Sequence, residues 1–154
     1  MDLITQSIYN LNNEVITTVS LFIDSAFIFG LIIIAIILFG EKKWEKRKKI
    51  IVAILIGILV GHGLKQIYHI ERPCIELSSK VINCSDYSFP SLHAITVFIL
   101  SSAFIRRKEY PLYLLFALLV SFTRIYLGMH SFVDIAASGA LAALVYHIVD
   151  LVKK

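Results

Sequence analysis

The sequence predicts an all-α, polytopic membrane helix bundle, and three observations carry that reading. Its 154 residues are 58% hydrophobic with a mean hydropathy of +0.80, well above the ~45–50% apolar content of a soluble domain. The apolar residues fall in runs near the roughly 20 residues that a helix needs to cross about 30 Å of hydrocarbon. Charges are gathered mostly into short stretches between the runs. No Pro-, Gly- or Ser-rich linker, low-complexity tract or internal repeat divides the chain, so residues 1–154 read as a single membrane-embedded domain.

Residues 1–19, including DLITQSIYNLNNEVITTV, mix apolar and polar positions and read as an interfacial amphipathic helix or a short sixth element. No basic segment precedes them, so a cleaved signal peptide is not expected. Residues 20–40 (SLFIDSAFIFGLIIIAIILFG) form the first expected span, and residues 50–70 the second, its helix continuing through KQIYHIER until Pro73 stops it. The third, residues 92–105, is too short to cross unaided, which predicts that its outer end near His93 lies below the membrane surface or extends by a polar turn. Residues 110–128 and 130–152 complete five transmembrane helices. The small-xxx-small pairs Gly57/Gly61 and Ala136/Ala140 are expected at close helix contacts.

Charge sets the orientation. Lys42, Lys43, Lys46, Arg47, Lys48 and Lys49 lie between the first two spans, and Arg106, Arg107, Lys108, Lys153 and Lys154 fall at the same end of later ones. The positive-inside rule makes that end cytoplasmic and the protein a multi-pass cell-membrane protein. The basic balance is thus accounted for by topology, and nucleic acid is not an expected partner. Lys65, Arg72, Lys80 and Arg124 fall in the other half and need a separate reason.

Taken singly, those outliers have ordinary explanations. Lys65 and Arg72, seven apart on one helix face, can snorkel to the headgroups. His130 and Asp134, spaced i, i+4, can form an interhelical polar pair, the carboxylate accepting from Nδ1–H and leaving Nε2 basic. Ser91 can cap the third span with His93 incidental to it. Arg124 follows a mostly apolar run, where a charge costs about 2–3 kcal/mol or more without a partner. Together, on one side of the membrane, three cations, two histidines, a carboxylate and a helix N-terminus suit a phosphate group, whose charge Lys and Arg neutralise in the ground and transition states.

The stretches KQIYHIERP, PSLH and TRIYLGMHSFVD resemble, in the right order, the three signature motifs of the type 2 phosphatidic acid phosphatase family, which includes polyprenyl diphosphate phosphatases. That resemblance implies that Lys65, Arg72 and Arg124 hold the phosphate, with hydrogen bonds from Ser91 and the N–H of Leu92. It makes His130 the nucleophile, Asp134 its orienting carboxylate, and His93 the acid that protonates the leaving oxygen and then the base that activates water. No metal or other cofactor is implied. Leu92 stands where the family usually has Gly, and Thr123 where it has Ser. Leucine is harmless if its φ is helical, and its side chain is then expected to face the lipid chain. Cys74 and Cys84 bound the loop between the first two motifs, and in an oxidising exterior they can form a disulfide that orders a lid over the site. His62 and His69 match no metal-ligand spacing, and His147 at the cytoplasmic end reads as structural.

The expected partners are the bilayer and a membrane lipid phosphate or diphosphate. The short third span would let a lipid keep its tails in the membrane while its phosphate enters the pocket. A polyprenyl (undecaprenyl-type) diphosphate, cut to the monophosphate at the extracytoplasmic face, is the first expectation, and phosphatidic acid or phosphatidylglycerol phosphate the second. A non-catalytic lipid-phosphate binding or transport protein is the reading from another class. A channel is disfavoured because polar residues concentrate in the motif-bearing spans rather than forming rings.

Overall fold

The computed structural model describes residues 2–75, 80 and 84–152, and these form seven α-helices with no strand among them. They are α1 (Leu3–Tyr9), α2 (Glu14–Asp24), α3 (Ala26–Gly40), α4 (Trp44–Tyr68), α5 (Leu92–Ala103), α6 (Tyr110–Tyr126) and α7 (Phe132–Val152). Lys153 and Lys154 lie outside the described residues, as does most of the loop between the cysteines.

The core is organised around α5. Ala94, Ile95, Val97, Ile99 and Leu100 of this helix are almost fully buried, and it packs against α4, α6 and α7. Its 12 residues rise about 18 Å, well short of the hydrocarbon thickness. The chain ends it in a turn at Phe104, two residues before the expected limit. A short helix is tolerated here because its neighbours, not lipid, cover its sides. Around them the usual burial pattern is inverted: Phe27, Leu31, Phe39, Leu59, Leu112 and Leu144 are all more than half exposed on the outer surface, as side chains facing hydrocarbon are free to be. Among the described residues α4 and α7 are long and apolar enough to cross a membrane alone, and α2 with α3 would make a third, bent span.

Gly57 and Gly61 allow α4 to approach α5: an added Cβ would lie 2.7 Å from Ile99 and 2.6 Å from Leu92 respectively. The other small pair does not behave this way. Ala136 and Ala140 are exposed, and α7 instead buries Asp134, Ser138 and Ala142 toward the core. The stripe that packs is therefore set by the polar site residues at the start of the helix.

Two further differences from the sequence reading bear on the site. The straight helix expected over 20–40 is broken: α2 and α3 meet at Ser25 with a bend of 76°. The cause is local and tertiary, because Ser25 takes an extended ψ of 115° and the Asp24 carboxylate before it turns inward to pair with Arg124. Residues 1–19 accordingly divide between α1 and the first half of α2. The second helix also stops before Pro73. His69 adopts the left-handed conformation at φ 50°, its N–H bonded to Lys65 O and its ring set edge-on to Tyr87 at 4.6 Å. Lys65 and Arg72 are consequently not on one helix face; Arg72 belongs to the loop.

Candidate active site

The site forms at the end of the bundle where α4 ends and α5 and α7 begin. Lys65, on the last turns of α4, is 2% exposed. Its Nζ donates to Tyr87 O and lies 3.2 Å from Asp86 Oδ2. Arg72 reaches the same two acceptors from the loop: Nη2 is 3.1 Å from Asp86 Oδ2 and Nε 3.5 Å from Tyr87 O, while Nη1 is 3.3 Å from Met129 Sδ. One carboxylate thus bridges both cations. Partial burial pulls the Asp86 carboxyl up, but Lys65 and Arg72, with the Tyr87 N–H, outweigh this and hold it below the usual carboxylate range.

The third cation comes from α6. The Arg124 side chain is 3% exposed and pairs with Asp24 through Nη1, while its Nε has no hydrogen-bond partner among the described residues. Its carbonyl accepts from Met129 N at 3.0 Å and His130 N at 3.3 Å, so the turn after α6 folds back and fixes Arg124 and His130 relative to each other. Gly128 makes that turn at φ 71°, where an added Cβ would meet Tyr9 at 2.9 Å and Cys74 at 3.3 Å, so both conformation and space call for glycine.

His130 lies just ahead of α7 and is buried. Its Nδ1 stands 4.0 Å from Asp134 Oδ2, beyond hydrogen-bond reach, and has no other partner among the described residues. Asp134 is engaged elsewhere: Oδ2 accepts from Ser88 Oγ at 2.5 Å and Ser131 N at 2.7 Å, and Ser131 Oγ accepts from Asp134 N at 3.2 Å. The reciprocal Ser131–Asp134 pair is a capping box for α7. The expected hydrogen bond from His130 Nδ1–H is therefore replaced here by a cap that holds the carboxylate beside the imidazole.

Ser91 caps α5, its Oγ accepting from Ala94 N at 3.4 Å and its N–H donating to Ser138 Oγ at 2.9 Å. Leu92 begins the helix and is absent from the positive-φ residues. Its side chain lies against Gly61 of α4 rather than lipid, because the missing Cβ there leaves room for it. His93, one residue on, packs its ring on Phe29 at 4.3 Å, and its Nε2 is buried without a hydrogen-bond partner. Lys65 near the end of α4, His93 at the start of α5, Arg124 near the end of α6 and His130 just ahead of α7 all fall at the same end of the bundle, with His130 N bonded to Arg124 O at 3.3 Å. The sequence-identified cations and histidines are thus gathered into one cluster.

A cavity of about 250 Å³ adjoins it, lined by Arg72, Ser88, Ser131 and Asp134 with Ile70, Glu71 and Pro73. Cys74 and Cys84 are joined in a disulfide with a Cα–Cα distance of 6.3 Å, and Cys74 N donates to Gly128 O at 2.8 Å. Lys80 Nζ, between the cysteines, donates to Tyr9 O at 2.5 Å and Leu11 O at 2.6 Å and sits 3.7 Å from the Tyr126 ring centre. Thr5 Oγ1 accepts from Phe132 N at 2.8 Å, so α1 is docked beneath the site's turn. No group of three or more His, Cys, Asp or Glu with metal-binding geometry occurs among the described residues.

Sequence reasoning missed Asp24, Asp86 and Ser88. Asp24 had a signal, an acid inside an apolar run, which by default needs a partner. Asp86 and Ser88 sit in an ordinary polar loop and become visible only when the chain folds.

A helical membrane bundle with buried cations and histidines gathered at one end has the makings of a lipid phosphatase. The PAP2 superfamily model matches residues 46–152. This chain belongs to that family, and it is accordingly a membrane phosphatase of the hydrolase class acting on a lipid phosphate. It is 30% identical over 144 residues to undecaprenyl-diphosphatase BcrC of Bacillus subtilis (strain 168), a match covering 87% of this chain and 73% of that protein. Its fold is similar to the crystal structure of Aquifex aeolicus LpxE, with a TM-score of 0.79 at 22% identity over 96% of this chain and 93% of that one. It is also similar to the PAP2-type phosphatidylglycerolphosphate phosphatase of Bacillus subtilis, with a TM-score of 0.73 at 21% identity over 97% and 82%.

Proposed function

We propose that this protein hydrolyses a polyprenyl diphosphate to its monophosphate at the extracytoplasmic membrane face through a phosphohistidine on His130. The observation that carries the chemistry is the convergence of Lys65, Arg72 and Arg124 on a site where His93 Nε2 and His130 Nδ1 are buried without partners. Buried polar atoms are normally satisfied; an entering phosphate supplies an acceptor for His93 Nε2–H, while His130 Nδ1 faces the Asp134 carboxylate 4.0 Å away.

In the proposed reaction His130 attacks the terminal phosphorus and forms a P–N bond as the P–O bond to the bridging oxygen breaks. His93 donates its proton to the departing oxygen. Water then attacks the phosphohistidine, His93 takes its proton, and inorganic phosphate leaves with His130 restored. Lys65, Arg72 and Arg124 bear the negative charge throughout. Asp134 acts as a positioning residue, since it caps the helix beside the nucleophile.

The choice of a diphosphate rests on the similarity to the undecaprenyl-diphosphatase. The chemistry of the site equally suits a monoester, and the second structural relative is a phosphatidylglycerolphosphate phosphatase, which keeps that class and phosphatidic acid as the alternative. The test is phosphate release from each lipid at equal surface concentration in mixed micelles. The proposal expects the prenyl diphosphate to be turned over fastest, and a clearly faster glycerophospholipid would overturn the choice. The non-catalytic reading predicts binding without release for every lipid in the panel.

A further inference from the structure

The opposite end of the bundle carries a second cavity, of about 450 Å³, larger than the one beside Asp134. Lys46 and Lys49 of α4, Arg106 and Arg107 of the turn after α5, and Tyr146, His147 and Asp150 of α7 form most of its polar wall. Lys49 and Lys65 are separated by about 24 Å of helical rise along α4. The cavity is therefore independent of the active site, and nothing in the proposed reaction uses it.

Its charge is only partly compensated from within. Arg107 pairs with buried Glu41 at 2.5 Å, and Lys49 with Asp150 at 3.0 Å. Lys46 and Arg106 have no ion-pair partner within 4.0 Å among the described residues. Two cations are thus left facing a concave space, one of them an arginine whose fork suits a phosphate. Tyr146 and Ser102 add hydroxyls, while Ala103, Ala143 and the 60% exposed Ile105 make part of the wall apolar. A wall that combines cations with apolar side chains, at the end of membrane helices, fits a headgroup with its acyl chains still in the bilayer. Basic pockets between helices at this level are a physical match for anionic lipids.

We propose that this cavity is a binding site for the phosphate of an anionic phospholipid in the leaflet opposite the active site. Arg106 and Lys46 hold the phosphate oxygens, and the apolar wall receives the glycerol end of the chains. A free phosphate ion shares the recognised group but makes no use of the apolar wall.

The test compares the wild type, a pocket variant (Lys46→Gln with Arg106→Gln) and a control of equal charge change outside the cavity (Lys42→Gln with Lys108→Gln). Phosphatidylglycerol bound to each detergent-solubilised protein is titrated by native mass spectrometry. Parallel thermal-shift measurements use inorganic phosphate in phosphatidylcholine nanodiscs. Loss of two cations near an anionic group is expected to weaken lipid binding by about twenty- to thirty-fold in the pocket variant, with the control near wild type. Lipid phosphatase activity of both variants is measured in parallel to show that they fold. Equal lipid binding by all three proteins would overturn the site. Equal weakening in the pocket variant and the control would do the same, because it would show diffuse attraction to charge. A stabilisation by inorganic phosphate alone, lost in the pocket variant while lipid binding is unchanged, would overturn the lipid as occupant and assign the site to the free ion.

Discussion

At the scale of single residues the site is a set of cations already provided with internal anions. Asp86 bridges Lys65 and Arg72, and Asp24 pairs with Arg124. An entering phosphate must displace Asp86 or share its cations. Replacing Asp86 with Asn should therefore lower KM by about five-fold, the equivalent of one half-exposed ion pair, with kcat within about two-fold; an unchanged or raised KM would show that Asp86 does not compete. The pH dependence has a definite sign. Asp86 is depressed below its ordinary value, so the ionised carboxylate and its pairs are present above that value and are lost as pH falls through the depressed one. The KM difference between variant and wild type should accordingly shrink on acidification. Kinetics of both proteins across the acid range would show it. Arg124 was legible in the sequence because a charge within an apolar run is costly and so conspicuous, whereas Lys65, Arg72, His93 and His130 became legible only together, by falling on one side of the membrane within motifs that resemble the family's. Asp86 was illegible because an acid in a polar loop costs nothing until folding places it between two cations.

At the scale of elements, hydropathy shows where helices are and says little about where they break. The start of α5 was readable from Ser91 as a cap, and the start of α6 from its charged preceding loop. The bend at Ser25 depends on a contact between Asp24 and Arg124, a hundred residues apart in the chain, and the stop at Tyr68 on a left-handed His69, neither of which has a periodic signature. The α4–α5 contact gives a prediction with an internal control. Gly61→Leu, whose Cβ alone would meet Leu92 at 2.6 Å, should cost about 1–3 kcal/mol by overpacking and lower the thermal midpoint in detergent by several degrees. Gly63→Ala, with nothing within 4 Å, should be neutral or stabilising by up to about 1 kcal/mol. Similar midpoints for both variants would contradict the packing described. The Cys74–Cys84 bond, closing a separation of 10 residues, ties the segment around Asp86 to the turn carrying Gly128. Alkylation with and without reductant should show both thiols protected in untreated protein, and reduction should cost about 2–3 kcal/mol. Two freely labelled cysteines in the untreated protein would remove the clamp.

Across the whole molecule, polarity is divided between two ends. Lys42 to Lys49 and Arg106 to Lys108 lie at one, and the candidate site with Lys65, Arg72, His93, Arg124 and His130 at the other. The proposed outward orientation of the active end should show as matching accessibility. In intact cells a membrane-impermeant thiol reagent should label a cysteine introduced at Glu71 and spare one at Lys108, and the reverse labelling would invert the assigned orientation. The sequence conveyed this polarity because loop charge is local information. It did not convey that the shortest apolar helix lies at the centre, since that follows from which faces pack together. The site depends on this arrangement, because α5 presents Ser91 and His93 between the ends of α4, α6 and α7. The central claim is that this convergence performs phosphate transfer through His130. The most direct measurement is turnover and equilibrium binding of a radiolabelled polyprenyl diphosphate by wild type and His130→Ala in the same micelles. The account predicts that the variant loses at least about a thousand-fold in turnover while binding the lipid within a few-fold of wild type. A variant that still releases phosphate at a wild-type rate would contradict it.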